Sequence, residues 1–403
     1  MQTISAPAAV ASPLRAGVRP EVELLLCCAR ARMDERHVAR LHQLLDDALD
    51  WKFVIACAES HGLVPLLYFH LHAHAPEKVP PAVYEKLREQ FRRISALNVY
   101  LSGELRRLLK LFAARDIDAI PYKGPALALK AYGQIALRHF GDLDIIVRRR
   151  DVPRVIDLLV AEGYALHPPL NPVQQSLMLR TQCNLPFTRD AHRLIVEIHW
   201  RVSARLFSAP LDEETLWQTL HTETFEGMPI NALAPEDLLL SLCVHGAKHL
   251  WERLSWITDI AQLLEVHPDL NWTRLLERAR RTGTERMLLL GLYLASDLLG
   301  ARLSAEVEAR MKGDPEIVSL ANQIYARLFE DGSDEAAGMS GYFIFQLKAR
   351  RRLRDKFNYC RYVVSPTEED LTLLRLPAPL SFVYYLLRPL RMLWTGGPTH
   401  LQH

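Results

Sequence analysis

Residues 123–150 read KGPALALKAYGQIALRHFGDLDIIVRRR, and the spacing of their apolar side chains changes within that span. Pro125 to Tyr132 carries the three-and-four spacing of a helix, whereas Leu143, Ile145 and Val147 alternate with other residues as in a strand. Immediately upstream, Ile117 to Tyr122 reads as another short strand, and Lys123-Gly124 forms the turn into the helix that Pro125 opens. Downstream, Asp151 is placed to cap a helix running to about Glu162, with Pro153 in its first turn and Gly163 just past its end. Two further strands are predicted at Leu185 to Thr188 and Leu194 to Trp200. From Asp116 to Trp200 the chain reads β-α-β-α-(β)-β, an α/β (α+β) unit built on a compact mixed sheet.

The flanks are helical. From Glu21 to about Arg115 apolar residues recur at three and four, as in Leu41, Leu44, Leu45, Ala48 and in Leu101, Leu105, Leu108, Leu109, and Pro65, Pro80 and Pro81 divide this into several helices. After the sheet come a hairpin, Thr222 to Phe225 and Pro229 to Ala232 turning at Gly227, and then a helix from Pro235 to about Val266. Helical spacing continues through Asn271 to Leu299 and Glu306 to Phe329, and the small residues of Asp331 to Ser340 mark a linker. The expected division is a disordered arm (1–20), an N-terminal helical region (21–115), the α/β core (116–205), a hairpin with helices packed on that core (206–330), and a linker, basic segment and tail (331–403).

Composition narrows the class. The 403 residues are 49% hydrophobic and 24% charged, with 49 Lys and Arg against 47 Asp and Glu, for a net charge of +2. That balance excludes a disordered chain and argues against a protein whose main task is to grip nucleic acid through its phosphates. The six cysteines form no C-x-x-C pair and read as reduced core residues. No window approaches the roughly 20 apolar residues that cross a bilayer, and the N-terminus lacks the charged-then-apolar order of a signal peptide, so a cytoplasmic protein is expected.

The chemistry-bearing residues are carboxylates. On the strand at Leu143, Asp142 and Asp144 share one face and the apolar residues take the other. Two carboxylates held that close repel unless a cation lies between them, and hard divalent ions such as Mg²⁺ prefer oxygen ligands. In LIVEIHW, Leu194 to Trp200, an apolar face of Leu194, Val196, Ile198 and Trp200 leaves Glu197 on the other face with Ile195 and His199. Three carboxylates on adjacent strands could hold two Mg²⁺ ions, one activating an attacking oxygen and one on a nucleoside triphosphate. The alternatives are solvated strand ends for the two aspartates and the exposed face of an edge strand for Glu197. Gly124 stands where backbone N–H groups at a helix start can meet an anion, or is simply a turn glycine. Arg138 and the run Arg148 to Arg150 supply cations nearby.

Taken together, Lys123-Gly124, Tyr132-Gly133, Leu137-Arg138, Gly141-Asp142-Leu143-Asp144, Glu197-Ile198-His199-Trp200, Pro235-Glu236-Asp237 and His245-Gly246-Ala247-Lys248-His249 resemble a known family. The arrangement is similar to the nucleotidyltransferase superfamily that includes DNA polymerase beta and kanamycin nucleotidyltransferase, and more closely to the bacterial uncharacterised nucleotidyltransferase family. The resemblance implies a minimal nucleotidyltransferase mixed sheet with large helical N- and C-terminal elaborations. It implies that Asp142 and Asp144 bind two Mg²⁺ ions, with Mn²⁺ as a substitute, and that Glu197 completes the activating-metal site. Gly124 would lie against the triphosphate. Pro125 follows it where the superfamily usually has Ser, so no hydroxyl meets the terminal phosphate there, and Lys123 or Arg138 is left to take that role.

The implied reaction moves a nucleoside monophosphate from an NTP, ATP foremost, to a hydroxyl on a small molecule, sugar, peptide or protein, releasing pyrophosphate. Two rival readings remain: a nucleotide-binding or interaction protein that keeps the fold without turnover, and an RNA-modifying nucleotidyltransferase. The second rests on Lys348, Arg350, Arg351, Arg352, Arg354, Lys356 and Arg361, a basic run that also suits a solvated helix face. His199, His245 and His249 are candidate pocket-wall residues. His245 and His249 share a helix face at metal-ligand spacing, but Asp259, about 21 Å along a continuous helix, is out of reach of the same ion. From Leu380 to Trp394 the tail is apolar and aromatic, with Pro389 expected to break any helix; it could make weak membrane-surface contact or dock on its own domain.

Overall fold

The computed structural model describes residues 18–190, 194–208, 213–329, 339–373, 376 and 378–395. The expected arm at 1–20 and linker at 331–340 fall almost wholly outside them. The chain is a mixed α/β protein in which helices surround a five-stranded sheet.

The sheet contains β1 (Ala119–Pro121), β2 (Asp142–Val147), β3 (Ala165–Leu166), β4 (Asn184–Arg189) and β5 (Leu194–His199), in the order β1-β2-β5-β4-β3. Only β2 and β5 are parallel. This pairing sets Asp144 opposite Glu197 and Ile146 opposite His199. Alternation along both strands then sends Leu143, Ile145, Val147, Val196 and Ile198 to one face, where they pack with Leu105, Leu108 and Phe112 of the helix Pro81–Ala113 and Val155 and Leu159 of the helix Val152–Ala161. The other face carries the acids. β6 (His221–Phe225) and β7 (Met228–Ala232) form a separate hairpin.

Several expectations are corrected. β3 and the helix Pro172–Thr181 were not legible, because two residues make too short a strand for a period and the helix has no clear apolar stripe. Asp151 does not cap its helix through its side chain; a 3-10 turn, Arg149–Asp151, precedes the helix and the Asp151 carboxylate accepts from Arg154 instead.

The helix expected from Pro235 to Val266 is two helices, Pro235–Lys248 and Leu254–Val266. Between them Leu250 and Trp251 take left-handed backbone, φ 54° and 57°, and the Trp251 N–H donates to the Gly246 carbonyl at 2.8 Å. Trp251 is buried against Gly246 and Gly291: a Cβ on Gly246 would lie 2.5 Å from its ring. Burying this indole turns the chain, and neither Leu nor Trp announces such a break in sequence.

Pro389 does not stop the C-terminal helix, which spans Tyr384–Thr395. That helix is held from outside: Arg391 pairs with Asp370 at 2.7 Å, Arg388 donates to the Val363 carbonyl, and the buried Tyr384 hydroxyl accepts from Leu376 N–H at 3.0 Å. The lost helical hydrogen bond is offset by these contacts. Among the described residues no helix is long and apolar enough to cross a membrane.

Candidate active site

β2 and β5 deliver Asp144, Glu197 and His199 to one point. The ligand atoms of these three residues lie within 4.8 Å of one another. His199 Nε2 is 2.9 Å from Asp144 Oδ1 and 3.1 Å from Glu197 Oε2, so the imidazole bridges the two acids. Lys123 Nζ reaches Asp144 Oδ1 at 3.3 Å from the other side, and Asn184 on β4 donates to Glu197 Oε2 at 2.9 Å. The Tyr122 ring meets His199 edge-on with centroids 5.4 Å apart. Asp144 and His199 are buried and Glu197 is partly exposed.

The charges are interdependent. Burial opposes charge on His199, but the hydrogen bonds it donates to Asp144 and Glu197 hold its pKa well above the ordinary imidazole range. Burial also works against ionised Asp144, yet the Lys123 ammonium and His199 keep it well below the usual carboxylate range. Glu197 is lowered too, its hydrogen bond with His199 outweighing burial. Asp142 lies on the same strand face but outside the three-residue cluster; burial, then the charges of Asp144 and Glu197, raise it to about 7. Two negative charges are thus balanced by Lys123 and His199.

This donor set suits a divalent cation. Two carboxylate oxygens and one imidazole nitrogen converge, and positive groups crowd the same oxygen of Asp144 from two sides. The Lys123 ammonium and the His199 proton already balance the acids, so a bound ion would take their place beside these oxygens. His199, read from the sequence as a candidate pocket-wall residue, lies within reach of both acids, close enough to join them around one ion. The signal was its place two residues from Glu197 on one strand face. Asn184 was missed, because only the antiparallel register that sets it opposite His199 reveals it.

Beyond Lys123 lies a small cleft, a cavity of about 20 Å³, lined by Lys123, Arg138, Leu242, His245, Trp256 and Asp259. The broken helix overturns the expectation that Asp259 is remote from His245: the chain turns back at Trp251, and both residues line this one cleft. Asp259 does not join the histidines. It accepts from Arg138 Nε and Nη2, both at 2.9 Å, and from the Tyr132 hydroxyl at 2.7 Å. His245, His249 and Trp256 pack as one aromatic group with centroids 4.8 to 5.6 Å apart. Burial, followed by the Lys123 charge, pushes His245 well below the ordinary imidazole range. Lys123 Nζ, 3.4 Å from His245 Nδ1, joins the acid cluster to the cleft.

Gly124 has a structural reason of its own. It begins the helix Gly124–Tyr132 at φ 51°, and a Cβ there would lie 3.1 Å from the Asp142 carbonyl oxygen. A side chain would push against the backbone of the strand that carries the acids. Arg138 is buried in its pair with Asp259, which leaves only Nη1 outside that bidentate contact.

The basic run is not one surface. Arg350 is buried between the Phe207 and Tyr359 rings, 4.5 and 4.2 Å from their centroids, and donates to the Phe207 carbonyl at 2.7 Å. Burial lowers its pKa to about 10. Lys348 pairs with Glu316, and Arg351 with Glu285.

The model of a family described as uncharacterised nucleotidyltransferase matches residues 47–300, more than half of the chain. Comparison with curated proteins and with solved structures finds no significant match.

Proposed function

We propose, since the chain belongs to the uncharacterised nucleotidyltransferase family, that it moves a nucleoside monophosphate from an NTP, ATP foremost, to an acceptor hydroxyl on a small molecule, sugar, peptide or protein. The observation that carries this reading is the convergence of Asp144, Glu197 and His199 from two parallel strands, with Lys123 beside them. These residues, with Asp142 on the same strand face, would hold Mg²⁺ or Mn²⁺. Such ions, two in the full complement, would offset charge on the attacking and leaving oxygens and ease ionisation of the acceptor hydroxyl.

The chain's own groups then divide the work. Lys123 exchanges Asp144 for an oxygen of the α-phosphate and offsets its charge; Arg138, anchored by Asp259, presents Nη1 from the cleft wall. The partly exposed Glu197 lies on the acceptor's side, its carboxylate kept ionised by His199 and able to take the hydroxyl proton. The acceptor oxygen forms its bond to the α-phosphorus as the bond to pyrophosphate breaks.

The test is a screen with each NTP labelled at the α-phosphate, with Mg²⁺ or Mn²⁺, against panels of sugars, small alcohols and peptides, and intact-mass analysis of protein targets. Label should pass to an acceptor with release of pyrophosphate. Nucleotide binding without turnover across every acceptor class would favour the non-catalytic reading.

A further inference from the structure

We infer that the outer face of the helix Leu353–Val363 is a docking surface for anionic lipid headgroups, by which the protein sits on a membrane surface without crossing it. The inner face of this helix packs on the body of the protein through the buried Asp355 and Tyr359. The outer face is apolar where water should favour polar residues: Leu353 is 82% exposed, Phe357 64%, Val364 41%, and Cys360 is exposed as well. At about 100° per residue these four side chains fall within about 60° of one another, a continuous stripe opposite the buried face.

Cations border the stripe on both sides. The same geometry puts Arg354 and Arg361 along one edge and Arg352 and Lys356 along the other. Arg354 lies 3.6 Å from Asp355, but among the described residues the side chains of Arg352, Lys356 and Arg361 meet no carboxylate. Lone exposed apolar residues are ordinary; an aligned stripe flanked by unneutralised charge of one sign is not.

That pattern selects the occupant. Acyl chains accept Leu, Phe and Val, while anionic headgroups lie at the level of the flanking arginines and lysine. A nucleic-acid backbone would satisfy the cations but leave Leu353 and Val364 facing phosphates. Arg388 donates to the Val363 carbonyl, so the C-terminal helix meets the end of this one, and there Tyr385 and Leu386 are 41% and 60% exposed.

The experiment is co-sedimentation of the full chain with vesicles of phosphatidylcholine alone, or with about a third phosphatidylserine, at low and high salt. Binding should appear only with the anionic vesicles and weaken as salt rises. Leu353→Glu with Phe357→Glu, and separately Lys356→Ser with Arg361→Ser, should each weaken binding about tenfold or more. Because these side chains are largely solvent-facing, unfolding midpoints should not move. No binding of the wild type to anionic vesicles, or equal binding by the Glu variants, would overturn the inference. So would short single-stranded RNA that competes fully with the vesicles and binds the Leu353→Glu, Phe357→Glu variant as it binds the wild type, since that would assign the face to nucleic acid.

Discussion

His199 Nε2 lies 2.9 Å from Asp144 Oδ1, across the pairing of two parallel strands. One proton on that nitrogen serves two carboxylates, because Glu197 Oε2 is 3.1 Å away. The cluster is therefore not a set of mutually repelling acids. It is a neutralised network in which each acid depends on a nearby positive group.

Asp144→Asn is expected to reduce Mg²⁺-dependent nucleotide transfer about a hundredfold, equivalent to ~3 kcal/mol of lost transition-state stabilisation. Its effect on stability follows from the structure. Three clustered acids suggest that removing one relieves repulsion, but Asp144 pairs with Lys123 and His199, so its loss leaves buried positive charge less compensated. Without metal the variant should unfold more readily than wild type, by about 1–3 kcal/mol. Pyrophosphate release and urea unfolding measure the two effects; unchanged turnover would remove Asp144 from the mechanism.

Gly246→Ala should destabilise the protein although it improves helix propensity. The added methyl would lie 2.5 Å from the Trp251 ring, which Gly291 also approaches so closely that a Cβ there would lie 2.9 Å from it. Overpacking of this kind costs about 1–3 kcal/mol against less than 1 kcal/mol gained in the helix. Denaturant midpoints check it, and a stabilised variant would show that Trp251 can move freely.

The acid-bearing strands were legible because strand alternation is strong in Asp142 to Val147 and Leu194 to Trp200, and each has one wholly apolar face. What alternation cannot supply is register. That Asp144 stands opposite Glu197, and Asn184 opposite His199, is fixed by long-range pairing between segments some fifty residues apart or less. The nearness of Asp259 to His245 is hidden in the sequence for a related reason. A separation of about 21 Å holds only for an unbroken helix, whereas burial of Trp251 turns the chain and brings Asp259 to the cleft that His245 lines. The basic run likewise is not one surface, because Arg350 packs between two rings.

His70 gives a pH dependence far from the site. It is buried, its Nε2 donates to the Arg30 carbonyl at 2.7 Å, and burial lowers its pKa to about 4. In the unfolded chain it titrates near 6.5, so between about 6.5 and 4 the unfolded state binds more protons. This contribution to stability is present above that window and lost as pH falls through it, reaching about 2 kcal/mol at pH 5. His70→Gln keeps a donor for Arg30 but cannot titrate. Unfolding free energies at pH 7.5 and 5 should therefore fall less in the variant; equal losses in both proteins would show that His70 is not held neutral.

Metal binding should be visible without any acceptor. An ion that binds only the folded chain stabilises it by about 2.7 kcal/mol at a hundredfold excess over its Kd. Unfolding in excess Mg²⁺ or Mn²⁺, compared with unfolding in chelator, should show this increment in wild type. The residues at stake are separable: Glu197→Gln removes one carboxylate while keeping an oxygen near His199 and Asn184, so its fold should persist while the increment shrinks. Asp259→Asn makes the control, because Asp259 pairs with Arg138 in the cleft and lies outside the ligand cluster. That change should lower stability by weakening a buried ion pair yet leave the metal increment intact. Loss of the increment in Asp259→Asn with retention in Glu197→Gln would move the ion from the strand acids to the cleft.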